Sequence, residues 1–273
     1  MEKYSVLMSL YIKEKPEYLR AAIESMVTQS VMPDEIVIVK DGPITEELQQ
    51  VLDDYCTNYP SLFNIVGYEN NRGLGLALNY GLEHCKNELV ARMDTDDISR
   101  PTRCEQQIIL FRDNPQLDVV GGDIAEFISL PSNIKAYRKV PITNDAILEN
   151  MKTRCAMNHV SVMFKKSSVI AVGGYMDWFW NEDYYLWIRM WMNGFTFTNT
   201  GSVLVDVRTG SDMYARRGGI KYFNSEKKLQ DLMLKNKLIS FNTYLLNVIK
   251  RFIVQLLLPN SIRGWVFRKF ARR

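Results

Sequence analysis

The feature that most narrows what this chain can become is a regular alternation, in its first half, between two kinds of apolar pattern. Short continuous runs, Ser5–Leu10, Glu35–Val39, Phe63–Tyr68, Leu89–Met93 and Leu117–Gly121, read as buried strands. Between them, apolar residues recur at helical spacing: Leu19, Ala22, Ile23, Met26 and Val27; Leu48, Val51, Leu52 and Tyr55; Leu74, Leu78 and Leu82; Cys104, Ile108 and Phe111. Repeated strand–helix units predict an α/β fold with a mostly parallel sheet flanked by helices, and ligands at the carboxyl ends of its strands.

After residue 121 the pattern loosens. Val160–Lys165 and Val203–Val207 read as strands, Gly173-Gly174 as a break, and Asn181–Asn193 as a helix carrying Tyr184, Trp187 and Trp191. No repeat, low-complexity tract or compositional break marks a linker, so one domain ending near Thr209, with a helical tail over 210–273, is the simplest organisation. A chain of 273 residues, 47% of them hydrophobic, can bury a full core. Its formal charge of +3 argues against a dedicated nucleic-acid binder. Cys56, Cys85, Cys104 and Cys155 form no C-x-x-C pair, which fits free thiols in a reducing compartment. The chain opens directly into the strand-like run Tyr4 to Tyr11, without the apolar stretch of a signal peptide, so a cytoplasmic protein is expected.

Three carboxylates fall within four positions in Asp94-Thr-Asp96-Asp97, after one predicted strand and before a helix. Packed so closely they repel one another unless a cation or a donor-rich ligand neutralises them. Hard divalent ions use such oxygens and share their coordination sphere with phosphates; a solvated acidic turn has the same composition. A second pair, Glu182-Asp183, opens the Trp-bearing helix. It either complements the helix dipole or supplies a general base for an incoming hydroxyl.

Other positions carry weaker signals. Asp41, in Lys40-Asp41-Gly42-Pro43, can accept from a nucleobase N–H or shape the turn. Asn70-Asn71-Arg72-Gly73-Leu74-Gly75 suits contact with a phosphorylated ligand but is not a dinucleotide fingerprint, since no glycine follows three residues after Gly75. His159 is a candidate third metal ligand or a structural histidine. Arg208, Arg216 and Arg217 either close over a diphosphate or form a solvated basic loop.

With these residues in view, the chain resembles glycosyltransferase family 2, of the Rossmann-like GT-A fold, and within it the non-processive bacterial enzymes of surface polysaccharide assembly. The likeness runs from about Tyr4 to Gly219. Val6-Leu-Met-Ser-Leu-Tyr11 and Leu19-Arg-Ala-Ala-Ile-Glu-Ser-Met-Val-Thr-Gln29 look like the family's first strand and helix. Asp41 falls on its base-contacting aspartate, although Lys40 and Pro43 depart from the usual Asp-Asp-Gly-Ser. Asp94-Thr-Asp96 falls on the D-x-D motif and Glu182-Asp183 on the E-D motif; the Q-x-x-R-W motif of processive synthases is missing.

The resemblance implies a domain over 1–209, with a nucleotide-sugar half to about residue 121 and an acceptor half over 122–209. It implies Ser9, Tyr11, Asp41, Asn71, Arg72, Asp94 and the three arginines as the nucleotide-sugar set, Asp96 with Asp94 and His159 on Mn²⁺ or Mg²⁺, and Asp183 with Glu182 at the reacting hydroxyl. Inverting transfer from a UDP-hexose to a lipid-linked glycan is the expected reaction. A sugar-phosphate nucleotidyltransferase would want a glycine-rich, lysine-bearing loop where Ser9-Leu-Tyr-Ile-Lys13 stands. A catalytically silent membrane-docking subunit is the alternative, against which stand both Asp96 and Asp183.

Between Tyr244 and Arg273 the bases are Lys250, Arg251, Arg263, Arg268, Lys269, Arg272 and Arg273, with no acid. Lys250 and Arg251 interrupt the apolar run and Pro259 follows it, so a spanning helix is not expected. The tail either packs on protein or lies amphipathically on the anionic inner face of a membrane, where each nearby base adds about 1 kcal/mol.

Overall fold

The computed structural model describes residues 2–210 and 218–259. Its first half is the predicted alternation: β1 (Tyr4–Leu10), α1 (Pro16–Val27), β2 (Glu35–Asp41), α2 (Glu46–Asn58), β3 (Phe63–Tyr68), α3 (Leu74–His84) and β4 (Leu89–Met93). Local chemistry sets the helix starts. Proline opens α1, where a missing N–H does no harm, and the Thr45 hydroxyl caps α2 by accepting the Leu48 N–H at 3.3 Å. β1 pairs in parallel with β2 and β4, and β2 with β3, giving the order β3-β2-β1-β4. The carboxyl ends of all four strands therefore share one rim.

The strand runs are continuously apolar because both faces are covered. Val6, Met8, Ile36 and Ile38 pack with Leu19 and Ile23 of α1 and Leu48 of α2. Leu7, Val37 and Val39 pack on the other face with Leu78 and Leu82 of α3. At Gly81 a Cβ would come within 2.5 Å of both Leu7 Cδ1 and Val39 Cγ2, so α3 lies against the sheet at a distance only glycine permits.

The second half comprises β5 (Ile98–Ser99), α4 (Arg103–Asp113), β6 (Val119–Phe127), β7 (Ile134–Arg138), α5 (Asn144–Met151), β8 (Met163–Lys165), α6 (Lys166–Ala171), α7 (Glu182–Met192) and β9 (Phe197–Arg208). Antiparallel β8 joins β4 to β6, β9 runs parallel to β6, and β5 and β7 add antiparallel edges. Thus β1, β2, β3, β4, β6 and β9 point one way, and the sheet is mostly parallel.

The structure corrects three boundaries. The run expected as a strand over Val160–Lys165 begins as a 3₁₀ turn, His159–Ser161, because Ser161 turns its hydroxyl back to Asn158 O at 2.8 Å and Gly122 O at 3.1 Å. The run ending at Gly121 continues to Phe127, and Val203–Val207 is the second half of a longer strand whose register with β6 shifts beyond Gly121. The four cysteines are all free. Two helices, Ile220–Lys235 and Phe241–Phe252, follow; Leu229 and Met233 of the first join the core beneath α7. Among the described residues no helix is long and apolar enough to cross a membrane.

Candidate active site

β4 lies at the centre of the sheet and ends at Met93, so the next residues emerge in the middle of the rim. Asp94, Asp96 and Asp97 each offer a carboxylate oxygen, all within 4.8 Å of one another. Burial, the charge of Asp94 and then that of Glu14 push the Asp96 carboxyl up to about 7. Burial, followed by Asp96 and Asp94, raises Asp97 well above the carboxylate range. Three such groups cannot all ionise without added positive charge, and an all-oxygen set suits a hard divalent ion. The residues therefore fit Mn²⁺ or Mg²⁺. Glu14, which the sequence did not single out, accepts the Thr95 hydroxyl at 2.7 Å; the same hydroxyl reaches Ser9 O at 3.5 Å and ties the acidic loop to β1.

Beneath this loop lies Arg92, whose side chain is 2% exposed. It ion-pairs with Asp94 through Nη2, while Nε and Nη1 are buried without a hydrogen-bond partner. A charge inside the apolar run Leu89–Met93 was visible in the sequence, and burial demands a partner for it. What the sequence did not show is that Arg92 serves two acidic sets at once. Its charge acts on Asp94, Asp96 and Asp97 and also restrains Glu182.

Glu182 and Asp183 open α7. Burial, then the charge of Asp183, raises the Glu182 carboxyl to about 7, and Asp94 adds to the rise. The Tyr175 hydroxyl, raised mainly by burial, also responds to Asp183, Glu182 and Asp94. The two carboxylate sets, nearly ninety positions apart in the chain, thus share one electrostatic site. Asp183 accepts the Tyr184 N–H at 2.7 Å and the Cys155 thiol at 3.9 Å. The approach of α3 to this turn is close: a Cβ on Gly75 would stand 2.9 Å from Met176 O and 3.2 Å from Glu182 Cβ. Asn79, also on α3, accepts the Tyr175 N–H at 3.1 Å.

His159 does not join the acidic group. Its Nε2 pairs with the Tyr175 hydroxyl at 2.9 Å, and burial with the nearby Arg92 charge pushes its imidazole well below the usual range. Asp41, at the end of β2, is 4% exposed. It accepts the Arg72 N–H at 2.7 Å, Asn71 Nδ2 at 2.8 Å and the Gly73 N–H at 3.1 Å. Arg72 itself stacks over Tyr68 at 4.5 Å. Tyr11 follows β1 and is 39% exposed. Arg208, the last residue of β9, reaches the acidic loop: its N–H donates to Asp97 Oδ1 at 2.7 Å, its Nε to Asp96 O at 3.2 Å, and its guanidinium lies 3.8 Å from the Tyr18 ring centroid. Arg216 and Arg217 lie outside the described residues.

An acidic D-x-D group at a central strand end, electrostatically coupled to a second carboxylate pair at the start of a helix beyond the parallel half of the sheet, is the arrangement of one class: a GT-A-type glycosyltransferase. The family description "Glycosyl transferase family 2" matches residues 5–170, and the chain belongs to that family. It is 40% identical to the UDP-Gal:alpha-D-GlcNAc-diphosphoundecaprenol beta-1,3-galactosyltransferase of Escherichia coli, over 99% of this chain and 97% of that protein. It is 38% identical to the amylovoran biosynthesis glycosyltransferase AmsE of Erwinia amylovora, over 97% of this chain and 98% of that one. The fold is shared with a mannosyltransferase from Pyrobaculum calidifontis in complex with GDP-Man and Mn²⁺: TM-score 0.66, 14% identity, 98% of this chain and 75% of the other. It is also shared with S. aureus TarS 1-349 in complex with UDP-GlcNAc: TM-score 0.68, 16% identity, 92% of this chain and 72% of the other.

Proposed function

We propose that the protein is an inverting, metal-dependent hexosyltransferase that moves a sugar from a UDP-hexose to a hydroxyl of a lipid-linked glycan during bacterial surface polysaccharide assembly. The reading is supported chiefly by the electrostatic coupling of the two carboxylate sets, in which Asp94 raises and Arg92, the ion-pair partner of Asp94, lowers the Glu182 carboxyl. The donor and acceptor classes are supported by the printed name of the Escherichia coli relative, similar over nearly the whole of both chains. Residues 1–209 form the catalytic unit. Residues 210–273 bring it to the inner face of the membrane, a role supported by their basic, acid-poor final stretch.

Asp183 is the general base. Its carboxylate is steadied by the Tyr184 N–H and the Cys155 thiol, and it takes the proton of the acceptor hydroxyl as that oxygen attacks the anomeric carbon. Glu182, with its carboxyl raised to about 7, retains a large protonated fraction near neutrality and keeps a second full negative charge away from Asp183. Asp96, with Asp97 and the outer oxygen of Asp94, would hold Mn²⁺ or Mg²⁺, which when bound neutralises charge on the departing diphosphate. Arg208 braces the acidic loop by its contacts with Asp96 and Asp97. Asp41 holds the 71–73 loop at the nucleotide end.

The test is transfer by the purified chain, with Mn²⁺, from a panel of UDP-, GDP- and dTDP-sugars to a synthetic GlcNAc-diphospholipid, reading the product anomer by NMR. Asp183→Asn should lower turnover by about 10²–10⁴ while UDP affinity stays within about twofold. Wild-type turnover in that variant, or a product that retains the donor configuration, would overturn the mechanism.

A further inference from the structure

The helix Phe241–Phe252 is built inside out. Asn247, 3% exposed, donates to Lys152 O at 2.9 Å and to Gln230 Oε1 at 2.8 Å. Arg251 turns inward too, pairing with Glu226 at 3.0 Å and donating to Thr153 O at 2.7 Å. In the following turn, Ile253–Leu257, Gln255 is buried and its carbonyl accepts the Gly219 N–H at 3.1 Å. These three polar side chains thus face the protein. Phe241, Leu245, Leu246, Ile249, Ile253 and Leu257 face solvent, each between 43 and 63% exposed. A helix serving only the stability of its own domain would present the opposite face to water. Six large apolar side chains on two successive elements form a patch, not the scattered exposure normal for a monomer.

We infer that this apolar face is a docking surface for an anionic lipid bilayer, lying in the headgroup region with its axis along the membrane. The inference rests on the proposed lipid-linked acceptor for its purpose but not for its geometry. From Phe241 to the C-terminus there are seven bases and no acid; five of those bases, with Trp265, Phe267 and Phe270, follow directly after residue 259. Apolar and aromatic side chains interleaved with bases, in a stretch without acids, match a surface that is negative outside and apolar within. A second copy of the same face would bring like charges together. The structure also revises which groups do the docking. Lys250 is exposed, whereas Arg251 is committed to Glu226, so of these two bases only Lys250 is available to a leaflet.

The docking helix is mechanically tied to the active site. The Phe252 ring packs edge-on against Phe223 at 5.9 Å, on the helix Ile220–Lys235. From that helix Ser225 Oγ donates to Phe179 O at 2.6 Å, and Ser225 O accepts Trp178 Nε1 at 3.3 Å. These bonds hold the turn leading into Glu182 and Asp183. Trp180 in that turn has φ 59°, a left-handed backbone that a bulky residue keeps only where surrounding contacts impose it. Trp180 and Phe179 are 48% and 46% exposed. The turn that carries the general base is thereby linked to the docking helix through the helix Ile220–Lys235, suited to an acceptor whose lipid stays in the membrane.

The experiment is co-sedimentation of the full chain with vesicles of phosphatidylethanolamine and phosphatidylglycerol, with Leu246→Glu/Ile249→Glu as the variant. Wild type should bind, and should keep most of its binding at high salt, which screens charge but not apolar insertion. The double variant should partition about 100-fold more weakly, while its melting temperature and its turnover on a water-soluble acceptor stay unchanged. Wild-type binding abolished by salt, or equal binding by the variant, would overturn the inference. So would a wild-type dimer in light scattering that the variant splits, since a second copy would then cover the face. If the variant loses vesicle binding as expected but no nucleotide sugar is ever turned over, the docking surface stands and the enzymatic reading falls.

Discussion

Asp41 offers the sharpest test of how the nucleotide end is built. A carboxylate that read a nucleobase directly would keep lone pairs aimed at the cleft, whereas here three donors from the 71–73 loop converge on it. The corner is tight: Gly42 has φ +87°, and a Cβ there would stand 2.8 Å from Asn71 N. In Asp41→Asn one oxygen survives as an acceptor. The new NH₂ must then face either the Arg72 N–H or the pair from Asn71 and Gly73, and the remaining bonds lose their charge. Hydrogen bonds to charged groups contribute about 1.5–3 kcal/mol each, and the loop donors can partly recover water, so the net loss is about 2–4 kcal/mol. At about 2 °C or more per kcal/mol for a chain of this size, the melting temperature should fall by at least about 4 °C. UDP affinity, read by calorimetric titration, should fall with it. If Asp41 acts through the loop, Asp41→Asn and Asn71→Ala will not add in UDP affinity; their coupling should reach about 1 kcal/mol. An unchanged melting temperature with strictly additive losses of affinity would refute loop-holding and return Asp41 to a direct contact with the base.

Three further expectations follow from the site. Glu182 is raised to about 7 in the folded chain, against 4.5 ordinarily, so as pH climbs from about 4.5 to about 7 the unfolded chain releases a proton the folded chain retains. Stability of the metal-free protein should therefore fall across that window and flatten above it, and Glu182→Gln should remove part of the slope in melts recorded at each pH; an identical slope would exclude Glu182 as its source. Arg92→Met removes the charge that lowers Asp96, Asp97 and Glu182, so in melts of the metal-free protein recorded at each pH the fall in stability should extend to higher pH; an unchanged profile would exclude Arg92 as their shared counter-charge. Gly75→Ala pushes α3 against Met176 O and Glu182, and should lower kcat by at least about tenfold with little change in KM for the donor; wild-type kcat would show that the turn before α7 yields freely.

Much of the donor side was legible because it is written locally. Alternating strand and helix patterns predicted β1 to β4 to within a residue or two, and Asp94, Asp96 and Asp97 emerge where a central strand must end. The second half was harder to read because its strands borrow their partners. β5 has two residues and exists only by pairing with β9, and β7 is an alternating, half-exposed edge on β6. His159 illustrates the limit for single residues. The resemblance implied a metal role for it, whereas the neighbour that engages its Nε2, Tyr175, lies sixteen positions away across a glycine break. Arg251 is a second case, since a base in an amphipathic tail reads as solvent-facing until Glu226 appears beside it.

By itself, then, the amino-acid order determined the parallel half-sheet, the rim where ligands meet it, and the chemistry available at each strand end, because periodicity and turn residues act over a few neighbours. Only the tertiary structure decided that one buried guanidinium would serve both carboxylate sets, that Asp41 would hold a loop, and that the C-terminal helix would turn its apolar face to water. Those outcomes depend on burial and on Coulomb interactions over a few ångströms between residues distant in sequence, quantities that no local pattern contains.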